Sequence, residues 1–310
     1  MKKLTKNHIK EISILIFKYI LLTGLAFIIL YPIIIKFSAA FMSVEDTRDV
    51  TVRFIPKTFT LKNFVLVAQN IDYFPNLIKT IFFVITVSAV QVFVAMLTAY
   101  GLACFKFPGH KVLFSLVLAT LIIPPHAITL PLFLNFRTFD ILGIFQLFTG
   151  DTVSIVGTSI PIYLMATMGV GLKNGLLVFI FRQFFLNFPK ELEESASIDG
   201  AGVYKTFIKI ALPSALPMLL TCFLFSIVWY WTDVYYTTIF IPDNTFLASE
   251  MLEFAGSLGN VVEGLAGEGK YSISLQNNAG ILLFIAPITI LYFVCQRYFV
   301  ESIERTGLVG

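Results

Sequence analysis

Long apolar runs dominate this sequence, and they recur at about residues 14–36, 77–104, 112–134, 213–241 and 279–299. A run of about 20 residues, rising 1.5 Å each, is long enough to cross a hydrocarbon core of roughly 30 Å as a helix. Hydrophobic residues make up 57% of the chain and charged residues only 13%, too little charge to cover a soluble protein of 310 residues. The expected class is an all-α integral membrane protein. A net charge of +3 gives no reason to expect nucleic acid. Cys104, Cys222 and Cys295 sit far apart inside apolar runs, without the paired spacing of a disulfide framework or a metal site.

The stretch 153–188 is interrupted by Gly169, Gly171, Lys173, Asn174 and Gly175. Two spans and a turn would need roughly 40 residues. One span at about 174–188 is therefore expected, after a re-entrant or interfacial segment near 153–170. The total is six spans in a single domain, 1–310. The opening "MKKLTKNHIK", with Ser38-Ala39-Ala40 further on, has the look of a secretory signal. Its apolar stretch, about 12–35, is far longer than the 7–15 residues of a signal core and reads as a retained first span. Lys2, Lys3, Lys6 and Lys10 place the N-terminus in the cytoplasm by the positive-inside rule. Six spans then put the C-terminus there too, with 189–212 on the same side and loops 37–75 and 242–278 outside. Arg48, Arg53, Lys57 and Lys62 run against the rule in the first outer loop.

Signatures of catalysis are weak. "GLAGEGKY" (264–271) satisfies G-x-x-x-x-G-K but puts Tyr271 where Ser or Thr must bind Mg²⁺, and no strand is expected before it. "GVGLKNG" (169–175) misses the dinucleotide spacing and reads as a helix break. His8, His110 and His126 are isolated. No catalytic residue and no metal site is expected.

The polar stretch "EESASIDGAG" (193–202) is out of place in so apolar a chain. Pro189 suits the first turn of a helix, Glu191, Glu193 and Glu194 suit its positive dipole end, and Gly200 suits a left-handed cap at its close. A second helical stretch follows over 201–212, with Pro213 opening the next span. A solvated connector is one reading. The small side chains of Ser195, Ala196 and Ser197 favour another, close approach by a partner surface.

"EESASIDGAGVYKTFIKIALPSALP" resembles the EAA loop of binding-protein-dependent ABC importer permeases. Glu194, Ser195 and Ala196 match Glu-Ala-Ala with one replacement, Gly200 matches the glycine, and Ile210, Leu212 and Pro213 match the closing signature. "FRQFFLNFPKELEESASIDGAG" is similar to the maltose-type, carbohydrate-uptake branch. The resemblance implies a type I importer permease fold in a bacterial cell membrane. It also implies that the loop is a coupling helix docking on a cytoplasmic ATPase through Glu194, Ser195, Ala196, Asp199, Gly200 and Ala201. ATP and Mg would be bound by two ATPase subunits, with no cofactor on this chain. A second, homologous permease subunit and an extracytoplasmic solute-binding protein complete the expected set of partners, the latter docking on the outer loops. The tail, Thr306-Gly307-Leu308-Val309-Gly310, lacks a Lys that the family ending carries.

"WYWTDVYYT" (229–237) lies in the fifth expected span. Asp233 would cost about 2.5–3.5 kcal/mol at a helix centre and should face a cavity or a partner. Trp229, Trp231, Tyr235 and Tyr236 offer ring faces to the C–H surface of a sugar; the alternative is an aromatic belt at the membrane interface. The resemblance implies inward sugar transport by alternating access. The same architecture with a polyol or sugar phosphate as solute stays open, as does, from another class, a membrane-embedded enzyme.

Overall fold

A computed structural model of the chain describes residues 2–141, 143–189, 191–192, 195, 198, 200–262 and 268–307. Among these the regular structure is helical, with one isolated antiparallel bridge between Phe139 and Val153. Two compact units emerge, Met1–Tyr73 with Met251–Ala286, and Phe74–Glu250 with Pro287–Gly310.

In the first unit, helix Lys2–Ala40 leaves most apolar side chains from Ile12 to Phe37 uncovered, Phe17 at 67% and Ile28 at 69% exposure among them. Such a surface is stable against lipid and costly against water. Beyond Ala40 come the short helix Val44–Arg48, a loop, and helix Lys62–Asn70. The buried Asn63 side chain donates to the carbonyls of Ala40 and Met42, both at 3.0 Å, so the end of the long helix is tied to the next element. Tyr73 donates its hydroxyl to the Leu283 carbonyl at 3.0 Å.

The second unit is built on helix Tyr73–Cys104. Its residues Val92, Ala95, Met96, Ala99 and Tyr100 recur at three- and four-residue spacing, which sets them on one face. That face packs against Leu177, Val178, Phe181 and Phe185 of helix Asn174–Leu186, and against Ala211, Ala215 and Cys222 further along. A Cβ on Gly175 would lie 2.7 Å from the Val117 carbonyl oxygen, so only glycine lets this helix approach helix His110–Ala119 so closely.

Among the described residues three helices are long and apolar enough to cross a membrane: Lys10–Ala40, Tyr73–Cys104 and Tyr271–Arg297. A fourth appears if Val203–Ser214 and Leu216–Trp231, bent by 75°, form one broken span. Several expected spans are therefore not single helices. The stretch 112–134 divides into His110–Ala119 and Pro125–Arg137, because Pro124 and Pro125 have no N–H to continue the first helix. The stretch 213–241 divides into Leu216–Trp231 and Tyr235–Phe240. Helix Asn174–Leu186, of 13 residues, is about 20 Å long and short of the hydrocarbon thickness. Segment 153–170 holds helix Ile160–Thr167. Region 242–278 is largely helical, with Leu247–Val262 and the start of Glu268–Gly307.

Candidate functional site: the coupling segment and the aromatic stretch

The polar segment opens as a helix: Leu192 N–H donates to the Pro189 carbonyl, and Ser195 Oγ donates to the Glu191 carbonyl at 2.7 Å. Gly200 then takes a φ of +73°, in the left-handed region that a residue with a Cβ enters only at a cost. Gly202 starts helix Val203–Thr206, which runs into a π-helical turn, Phe207–Ala211. Ser195 is exposed and Ala201 half-buried; Glu194, Ala196 and Asp199 lie outside the described residues.

The base of this segment is fixed in the core. Phe207 and Ala211, four apart and so on one face, are both buried. The Tyr100 ring lies 4.9 Å from Phe207 and 5.2 Å from Phe185. Among the described residues Ile198 and Tyr204 are each 86% exposed, and the polar Ser195, Lys205 and Lys209 are exposed as well. Ile198, an isolated Ile in a polar stretch, is not among the residues the sequence singled out here.

Arg182 was also missed. Its Nε donates to the Leu102 carbonyl at 3.4 Å, and its guanidinium carbon lies 4.0 Å from the centre of the Phe114 ring. One side chain thus joins helix Asn174–Leu186 to the last turn of Tyr73–Cys104 and to His110–Ala119. A cation there also complements the negative end of the helix dipole.

The aromatic stretch does not form one surface. Trp231 and Tyr236 are buried at 3% and 5% exposure, Tyr236 stacked on Phe240 at 5.9 Å. Trp229 and Tyr235 are half-buried. Lys173 Nζ lies 5.0 Å from the Trp229 ring centre, Phe225 stacks on Trp229 at 6.0 Å, and Tyr235 meets His126 at 4.6 Å. Asp233 finds its hydrogen-bond partners in the backbone: its carboxylate accepts from Tyr236 N at 3.3 Å and Thr237 N at 3.0 Å, capping helix Tyr235–Phe240. An apolar groove of about 440 Å³ is lined by Leu224, Val228, Trp229, Ile288 and Tyr292 among others.

Nearby, the wholly buried Gln91 donates through Nε2 to the Leu172 carbonyl at 2.7 Å and accepts from the Tyr230 hydroxyl. It ties the 169–173 break to two helices. A Cβ on Gly171 would stand 2.6 Å from Gln91 Oε1. Lys173, with φ of +51°, leaves this break in a conformation rare for a residue with a side chain. Of the G-x-x-x-x-G-K match, 264–267 lie outside the described residues and 268–271 open a helix.

Residues 91–305 match the family of binding-protein-dependent transport system inner membrane components. The alpha-glucoside transport system permease protein AglG of Rhizobium meliloti is 26% identical over 261 residues, 82% of this chain but 62% of AglG; the chain thus matches under two thirds of that relative's length. The arabinooligosaccharides transport system permease protein AraQ of Halalkalibacterium halodurans is 29% identical over 92% of this chain and 93% of its own. The sn-glycerol-3-phosphate transport system permease protein UgpE of Escherichia coli is 25% identical over 91% and 93%. A chain of a bacterial ABC transporter involved in alginate import shares the fold, with a TM-score of 0.69 at 23% identity over 92% of this chain and 95% of that one. With more than half its length matched, this chain belongs to the family of binding-protein-dependent transport system inner membrane components, as a multi-pass permease subunit of an ABC importer.

Proposed function

We propose that this chain pairs with a second, homologous permease and moves a sugar or oligosaccharide inward by alternating access. It crosses the membrane six times, counting broken helices as spans, with both termini in the cytoplasm. Two cytoplasmic ATPase subunits bind ATP and Mg and close on each other. The segment 189–212 passes that movement to the spans as a rigid body, and a solute-binding protein delivers the sugar at the outer loops. The observation that carries this reading is the left-handed Gly200 between two helical stretches, with Ile198 and Tyr204 exposed above it and Phe207 and Ala211 buried below. Glu194, Ser195, Ala196, Asp199, Gly200 and Ala201 would meet the ATPase.

The sugar assignment is supported by two of the relatives, whose names specify alpha-glucosides and arabinooligosaccharides; the glycerol phosphate relative keeps a phosphorylated solute as the second reading. Of the aromatic stretch, Trp229 and Tyr235 retain exposed surface for a sugar. Trp231 and Tyr236 are committed to packing, and Asp233 to its cap.

The test is ATPase activity of the purified assembly in bilayers, with and without binding protein and sugar, for the wild type, Gly200→Pro and Glu194→Ala. Proline fixes φ near −65° and is incompatible with +73°. Stimulated hydrolysis and uptake are expected to fall at least tenfold in Gly200→Pro with the subunits still associated. Full stimulation in both variants would reduce the segment to a connector.

A further inference from the structure

The loop between Val44–Arg48 and Lys62–Asn70 is firmly built, yet it holds two apolar side chains almost fully outward: Val50 is 93% exposed and Ile55 80%. Its order is not in doubt from the bonding. The buried Asp46 carboxylate accepts from Thr58 Oγ1 at 2.7 Å and Thr58 N at 3.0 Å. Thr60 N donates to the Phe41 carbonyl at 2.9 Å, and Phe41 stacks on Phe59 at 4.8 Å. Asp49 pairs with Lys57 and accepts from Thr51 N and Oγ1. The Lys57 and Thr51 hydrogen bonds hold its carboxyl well below the usual carboxylate range. Both aspartates are thus occupied within the loop.

The loop also folds back on the first helix. Ser38 Oγ donates to the Phe54 carbonyl, and the Phe54 ring meets Tyr31 at 6.2 Å. Depth follows from the helix rise. Between Lys18 and Lys36 no residue is charged, a length of about 26 Å, close to the hydrocarbon thickness once both lysines extend toward the headgroups. Tyr31 lies five residues inside Lys36, about 7 Å toward the bilayer centre. Ser38 lies two residues, about 3 Å, outside Lys36, so Phe54, bonded at Ser38 and reaching down to Tyr31, straddles the hydrocarbon boundary that Lys36 marks.

We propose that the tip of this loop, Val50 to Ile55, is an interfacial membrane anchor. Val50, Phe54 and Ile55 seat in the boundary between headgroups and acyl chains, and the exposed Arg53 meets lipid phosphates. The occupant is lipid because the tip continues the uncovered apolar surface of helix Lys10–Ala40. This rests on that helix crossing the bilayer and not on which face the loop occupies. The anchor fixes the Lys36 end of the first helix against the membrane surface, which leaves the remainder of the loop to meet protein.

Nitroxide labels at Val50→Cys and Ile55→Cys test this in the full assembly, with Cys104 and Cys295 replaced by Ser and the assembly held in nanodiscs of phosphatidylethanolamine and phosphatidylglycerol. A label at Ile28→Cys, near the middle of the 18–36 stretch and exposed, is the lipid reference and verifies the crossing independently. The ratio of oxygen to Ni-EDDA accessibility at 50 and 55 should stand several-fold above that of a label free in buffer and below the value at 28. A water-like ratio at 50 and 55 overturns the anchor. So does exclusion of both reagents only when the solute-binding protein is added, which would assign the tip to protein docking.

Discussion

Gln91 shows how much a single side chain in an apolar run can carry. It is wholly buried and bridges the Leu172 carbonyl and the Tyr230 hydroxyl, 81 and 139 residues away in sequence. Replacing it by Leu removes one hydrogen bond from the Leu172 carbonyl and one from the Tyr230 hydroxyl, at a cost of about 1–3 kcal/mol for each group left unsatisfied. Tyr230→Phe strands only Gln91 Oε1 and should cost less. In the double variant the shared bond is already absent, so the two losses should add to more than the double variant shows. Thermal unfolding of the purified assembly measures all three; strict additivity would mean the pair contributes nothing together. Gly171→Ala should resemble Gln91→Leu, because its Cβ would stand 2.6 Å from Gln91 Oε1 and the amide cannot move away without straining its bonds. The sequence shows Gln91 only as one polar residue among apolar ones, since its partners are set by tertiary packing. Asp233 was visible as an anomaly for the opposite reason: a carboxylate in an apolar stretch stands out, while the two N–H groups that satisfy it belong to a helix start that hydropathy does not reveal.

At the scale of elements, hydropathy located most of the apolar stretches but not their breaks. Leu121, Ile122 and Ile123 keep the stretch 112–134 apolar through the very turn that ends helix His110–Ala119. Pro124-Pro125 was the available signal. The cap at Gly200 was readable, because a glycine after a short polar helix has few other uses. What links these elements is less readable. Arg182 holds the last turn of Tyr73–Cys104 and the face of Phe114 at once, seven residues before Pro189 opens the coupling segment. If these helices move as one body, Arg182 is a positioning residue for coupling. Arg182→Gln should lower the sugar taken up per ATP hydrolysed several-fold while leaving subunit association intact. Arg182→Lys should recover only part, since an ammonium keeps the charge and loses the planar group. Phe114→Leu should act in the same direction and more weakly, a cation–π contact being about 0.5–2 kcal/mol. Equal loss of uptake and hydrolysis, with the ratio unchanged, would leave Arg182 a purely structural bolt.

For the whole molecule, the count of crossings decides which groups can meet which partners. Among the described residues three helices qualify as spans by length and composition, or four with the bent pair, whereas the six-crossing reading also counts 112–134 and 174–188. Parity separates the possibilities. Between Lys62 and Tyr204 the six-crossing reading places three spans, 77–104, 112–134 and 174–188, so these two exposed positions lie on opposite faces. If the pair 112–134 and 174–188 entered and left by one face without crossing, parity would be unchanged, so a middle position is also needed. His110, at the start of helix His110–Ala119, lies one crossing from Lys62, and Leu147, 81% exposed, lies two. Single cysteines at 62, 110, 147 and 204, probed with a membrane-impermeant maleimide on intact cells and on inverted vesicles, should label in the order outside, inside, outside, inside. Labelling of 147 from the inside would make 112–134 and 174–188 two separate re-entrant stretches, each entering and leaving by that face, and leave a four-crossing chain. The segment 189–212 would lie on the face opposite Lys62 in either case, because its side depends on parity and not on how deeply the broken helices penetrate.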